Sequence, residues 1–201
     1  MQVILDLWGY QMTWLEALSF ALNLLGVYLN AKENPLTWPV SVLATACFML
    51  LAWHTLLYSD VGLQAFFVLS SFYGWYQWLY GSKTHTTLYV SRANISWWLL
   101  SALILAVFYP LLGWITDHYT NTDVPYADAF PVVLSIVGQL MLTRKILESW
   151  YVWMVVDAVY VNLFIYKELY LMALLYGLFV GMCFMGLRDW KKSLREQAPV
   201  T

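Results

Sequence analysis

The sequence predicts an all-α polytopic membrane protein, with seven transmembrane helices arranged as two three-helix repeats joined by a linker helix. Three observations predict it. The chain is 62% hydrophobic and only 11% charged over 201 residues, whereas soluble domains run to about 45–50% apolar and about 25% charged. Apolar stretches of spanning length follow one another with short connections between them. The chain also matches itself when shifted by 112 residues. Its net charge of −2 points to no class of partner, because the placement of the charges carries the information.

Taken in order, residues 1–13 (MQVILDLWGYQMT) are amphipathic and too short to span, so they read as an interfacial segment. They lack the basic start and small-residue cleavage site of a leader. Spans are predicted at 14–30, 37–57, 61–80, 94–115, 126–142, 149–166 and 169–187. Pro35, Pro39, Pro125 and Pro131 sit near segment starts, where a missing N–H costs little. Pro110 falls inside the fourth span and predicts a kink. The first repeat then covers 14–81, the linker 82–125, the second repeat 126–190, and a polar cytoplasmic tail 191–201, read as frayed or extended helix. Cys47 and Cys183 lie within spans and read as packing thiols with no disulfide role.

Orientation follows from Lys and Arg. One side receives Lys32, Lys83, Arg92, Arg144, Lys145, Arg188, Lys191, Lys192 and Arg195, and the other receives Lys167 alone. That bias places the C-terminus in the cytoplasm and, with an odd number of spans, the N-terminus outside. Asp117 and Asp123 fall in the outer connection before the fifth span.

At the 112-residue offset the first three spans fall on the last three. Matches include Gly26/Gly138, Trp38/Trp150, Val40/Val152, Tyr58/Tyr170, Gly74/Gly186 and Trp78/Trp190. Apolar bias scatters Leu and Val coincidences, but it does not pair Trp, Gly and Tyr at one offset. Three spans, one linker and three spans make the halves parallel, an arrangement that places a transport substrate near mid-membrane between them.

The densest candidate site is Ser149–Ala158, SWYVWMVVDA, where Trp150, Trp153 and Asp157 share one helical face. A carboxylate at such depth costs roughly 2.5–3.5 kcal/mol, so function is its default explanation. Aromatic faces beside an anion suit a flat organic cation. The alternative is a packing pair of indoles with the acid satisfied by a neighbouring helix. Asn23, Gln64, Trp75, Gln139 and Tyr176 are further candidates; each also has an interhelical packing or hydrogen-bonding explanation. Trp78 and Trp190, at span ends, read as interfacial anchors.

Several chemistries are excluded. His54, His85 and His118 are far apart, and no His or Cys stands at metal-ligand spacing. No phosphate-binding glycine loop follows a strand, so no ATP hydrolysis is expected. The seventh span has no Lys for a retinal Schiff base, and one deep carboxylate makes no proton relay. The few basic residues lie in loops, which excludes nucleic acid. No cofactor and no enzymatic activity are expected.

Six segments together resemble one family: NPLTWPV (34–40), LYSDVGLQ (57–64), YGWYQW (73–78), LSIVGQLMLTRK (134–145), WYVWMVVDA (150–158) and GLRDW (186–190). They are similar to the PnuC transporters, bacterial relatives of the SWEET sugar transporters, over nearly the whole chain. The resemblance implies a seven-span, SWEET-like homotrimer in the inner membrane, moving a vitamin precursor by facilitated diffusion. Nicotinamide riboside is the best-known substrate, trapped by a separate cytoplasmic kinase. The implied site lies between the two bundles and includes Trp150 and Trp153.

The chain departs from the family pattern at Asp157, where nicotinamide riboside members usually carry Asn, and at TWPVS (37–41), where they tend to carry NYxFG. A carboxamide needs both a donor and an acceptor, whereas an ionised Asp only accepts. Thiamine, with a charged thiazolium and a donating aminopyrimidine, suits that acid, so the sequence narrowly favours thiamine over nicotinamide riboside. The rivals are a vitamin-binding subunit of an ATP-driven importer, prompted by Ala17-x-x-x-Ala21, and a SWEET-like sugar transporter.

Overall fold

The computed structural model describes residues 3–7, 10–54, 58–82, 87–120 and 122–197. Lys83, His85, the end of the second predicted span (55–57) and the extremes of the first segment and the tail lie outside the described residues. Seven helices follow in chain order: α1 (Trp14–Ala31), α2 (Thr37–His54), α3 (Tyr58–Tyr80), α4 (Ile95–Tyr119), α5 (Pro125–Thr143), α6 (Ser149–Tyr166) and α7 (Tyr170–Glu196). Among the described residues, α4 to α7 are each long and apolar enough to cross a membrane. Shorter apolar stretches cover Ala17–Ala31 and Thr37–Cys47. The polar tail continues α7 as helix to Glu196, and Lys192 and Glu196 lie 3.7 Å apart at i, i+4 spacing.

One described element is not helical. Where an amphipathic interfacial segment is predicted, β1 (Val3–Leu7) and β2 (Tyr10–Thr13) form an antiparallel hairpin, pairing Leu7 with Tyr10 and Asp6 with Gln11. The reason is visible in β2, YQMT, whose apolar and polar residues alternate, and in the branched apolar residues of β1, VILDL. Both features favour strands over a helix.

The chain divides into two compact units, Met1–Leu88 and Tyr89–Thr201. In the first, α2 packs against both α1 and α3. Its centre is a pair of indoles: Trp38 on α2 and Trp78 on α3 meet edge to face, with centroids 5.3 Å apart at 88°. Gly74 makes this possible, because a Cβ there would lie 2.3 Å from the Trp38 ring. Such a T-shaped pair contributes about 0.5–1.5 kcal/mol beyond its buried area.

In the second unit α4 packs on α5, α5 on α6 and α6 on α7. Tyr126 of α5 lies against Gly113 of α4, and Tyr109 meets the edges of Tyr126 and Phe130. The strand-like stretch before α4 is stitched to the α5–α6 turn. Ser91 N–H donates to the Lys145 carbonyl at 3.0 Å and Leu147 N–H to the Ser91 carbonyl at 2.9 Å. Ala93 N–H donates to the Glu148 carboxylate at 2.7 Å. At the opposite end of the unit, Lys167 Nζ lies 2.6 Å from Asp128 and Tyr166 donates to Asp123 at 2.9 Å.

The two units contain the same turn, 112 residues apart. Glu33 (φ 54°) and Lys145 (φ 50°) both take the left-handed conformation after α1 and α5. Asn34 N–H donates to the Leu29 carbonyl at 2.9 Å, and Ile146 N–H to the Met141 carbonyl at 3.1 Å. This six-to-one bond with a left-handed residue is the Schellman termination. Thr37 N–H to Asn34 and Ser149 N–H to Ile146, both 3.0 Å, then start the next helix in each unit.

Candidate functional site

Helix α6 carries the site candidates, and its first turn is fixed by the Trp arrangement already met in the first unit. Trp150 meets Trp190 of α7 edge to face at 5.4 Å and 87°, over Gly186, where a Cβ would lie 2.4 Å from the Trp150 ring. Trp150 is therefore buried by α7. Trp78 and Trp190 are each 0% exposed. This corrects their reading as interfacial anchors, since an indole sealed between helices does not reach the headgroups.

One turn on, Trp153 lies against α5. A Cβ at Gly138 would lie 3.2 Å from its Cε2 and Nε1, so the glycine leaves room for the indole edge. Trp153 is half-buried, and its buried Nε1 has no hydrogen-bond partner among the described residues. Gln139, the next residue on α5, is buried.

A turn further, Asp157 is 4% exposed. The hydrogen bond that reaches it comes from α7: the Cys183 thiol donates to Oδ2 at 3.5 Å. A thiol is a weak donor, and a carboxylate has about four lone-pair sites, so the acid retains most of its accepting capacity. Cys183 and Cys47 are both free. The reading of Cys183 as mere packing missed its contact with the acid. The sequence held one signal for it, since the 112-residue shift sets Asp157 and Cys183 on Thr45 and Ser71, both polar and both in spans.

Tyr176 of α7 belongs to an aromatic cluster with α6. Its ring lies 4.8 Å from Tyr160, 5.2 Å from Phe164 and 5.5 Å from Phe179, while Tyr160 and Phe164 stack at 16°. The second unit thus collects Gln139, Trp150, Trp153, Asp157 and Tyr176 on α5, α6 and α7. Asn23, Gln64 and Trp75 belong to the first unit, all half-buried. The Asn23 amide folds back on α1, donating to the Ser19 carbonyl at 2.9 Å.

Comparison with known proteins gives this arrangement its context. A family model described as "Nicotinamide mononucleotide transporter" matches residues 13–192. The chain belongs to that family. The nicotinamide riboside transporter PnuC of Escherichia coli (strain K12) is 26% identical over 94% of this chain and 90% of its own length. The riboflavin/roseoflavin transporter RibM of Streptomyces davaonensis is 28% identical over 96% of this chain and 92% of its own. A crystal structure of the vitamin B3 transporter PnuC superposes with a TM-score of 0.71 at 20% identity, covering 92% of this chain and 83% of that one. That likeness carries the fold. The chain is therefore a transporter of the PnuC type with several membrane-spanning helices.

Proposed function

We propose that the protein is a uniporter for a cationic heteroaromatic vitamin precursor in the bacterial inner membrane, with the C-terminus cytoplasmic. The observation that carries this is Asp157, buried within the second unit and reached, among the described residues, by a single thiol donor. In a bilayer such an acid calls for a cation or a strong donor. Trp153, one turn before it on the same helix face, supplies the stacking surface, and Trp150 holds that face in place against α7. Gln139 and Tyr176 supply polar and aromatic contacts from the flanking helices. Asn23, Gln64 and Trp75 are the first-unit residues whose substitution is expected to alter uptake. All seven helices span in this reading, the two three-helix bundles run parallel as in SWEET transporters, and the assembly is a homotrimer. A separate kinase acting on the imported vitamin drives accumulation.

Two substrates fit the acid. Nicotinamide riboside is favoured by the curated relative of Escherichia coli. Thiamine is favoured by Asp157 itself, which accepts from an aminopyrimidine and neutralises a thiazolium but offers a carboxamide no donor. Riboflavin, named for the Streptomyces davaonensis relative, is neutral and gains nothing from the charge. The test is uptake of all three into vesicles containing the purified protein and no ATPase, with Asp157→Asn in parallel. A cation is expected to be taken up, with Asp157→Asn moving preference from thiamine towards nicotinamide riboside. Riboflavin as the sole transported compound, or equal behaviour of both proteins, would refute the assignment; uptake only with an added ATPase would favour the importer-subunit reading.

A further inference from the structure

We propose that Cys183 is a positioning residue for substrate binding, holding the Asp157 carboxylate in its receiving orientation from the neighbouring helix. The proposal rests on the reading of Asp157 given above. Asp157 stands on α6 and Cys183 on α7, and the Sγ–Oδ2 contact of 3.5 Å joins two residues that are 4% and 2% exposed. The bond therefore fixes a side chain of one helix against another, inside a unit where water has little access.

The chemistry of the donor matters. A Lys or Arg at this place would neutralise the acid permanently and leave it no reason to accept a cation. An apolar residue would leave the carboxylate free to swing between rotamers and would give a substrate no fixed oxygen to find. A thiol does neither: it engages one oxygen weakly and leaves the other lone pairs open. The first unit lacks the device. There the offset positions hold Thr45 and Ser71, and the Ser71 hydroxyl turns back to its own helix, donating to the Phe67 carbonyl at 2.7 Å.

The test is a double-mutant cycle on the full-length protein in vesicles, with Cys183→Ala, Cys183→Ser, Asp157→Asn and the Cys183→Ala/Asp157→Asn pair. Uptake of nicotinamide riboside and thiamine is read as KM and maximal rate. Cys183→Ala is expected to raise KM for the transported cation about three- to ten-fold, the range of one modest hydrogen bond, with maximal rate nearly unchanged. Cys183→Ser is expected to restore most of the affinity, because a hydroxyl also donates. In the Asp157→Asn protein, Cys183→Ala is expected to change KM by less than about two-fold, because the group it positioned has changed. Equal losses in both backgrounds, a fall in rate without a rise in KM, or no rescue by Ser would overturn the proposal, showing that Cys183 only packs. Should Cys183→Ala fail to fold, Cys183→Val, which nearly keeps the volume but cannot donate, against Asp157→Asn gives the same coupling, and its absence overturns the proposal equally. If Asp157→Asn alone leaves affinity untouched, the site reading falls and takes this one with it; if it lowers affinity without coupling, the positioning role alone falls.

Discussion

The first turns of α2 and α6 are the same piece of structure with different contents. Trp38, Gly74 and Trp78 in the first unit repeat as Trp150, Gly186 and Trp190 in the second, with centroid distances of 5.3 and 5.4 Å. Gly26 faces Val40 and Ser41 as Gly138 faces Val152 and Trp153. The frame is shared, and among the positions that differ are Ser41 against Trp153, Thr45 against Asp157 and Ser71 against Cys183. Residues that match across the offset build the bundle. On the proposed reading, those that differ are the ones free to serve a ligand. By this criterion Trp150, despite its place on the face of Trp153 and Asp157, belongs to the frame.

Three experiments break or sharpen that contrast. The largest effect is expected from Trp78→Ala and Trp190→Ala, each emptying a fully buried aromatic slot and costing about 3–5 kcal/mol of stability. Thermal unfolding in detergent measures it, and comparable losses at the two sites would mark the indoles as equivalent. A large loss at one site alone would break the equivalence. Next comes Trp153→Ala, expected to weaken substrate binding by about 1–3 kcal/mol, the range for ring-on-ring stacking. Ser41→Ala at the matching position should leave calorimetric affinity within about two-fold, and an equal effect at both would erase the distinction between frame and site. The smallest is Lys167→Ala, which removes the 2.6 Å ion pair to Asp128. The offset sets Glu16 and Thr55 on that pair, so the matching sequence positions hold no Lys or Arg. As both side chains are partly exposed, the loss should stay under about 1 kcal/mol, seen as a small fall in melting temperature with uptake retained.

Much of this was legible in the residues. Helix positions follow from apolar runs bounded by Pro and polar turns, and the structure places each of the seven within a few residues of its expected start. The offset was legible too, because Trp and Gly are rare enough to pair conspicuously. The hairpin at 3–13 was missed because eleven residues of mixed polarity satisfy an amphipathic helix and a short alternating strand almost equally. The anchoring assigned to Trp78 and Trp190 followed from their place at span ends. Which way an indole turns at such an end depends on its partner on the neighbouring helix, here Trp38 for Trp78 and Trp150 for Trp190.

By itself, the sequence determined the membrane character, the helices and the residue matches at one offset, because these depend on composition and on order along one chain. It also determined that an acid lies deep in an apolar segment. The tertiary structure decided what that acid touches. Asp157 and Cys183 are 26 residues apart on different helices and meet because α6 and α7 pack closely over Gly186. Helical periodicity assigns faces within one helix; partners across two helices depend on their packing, and packing is set by side-chain shape where the helices touch.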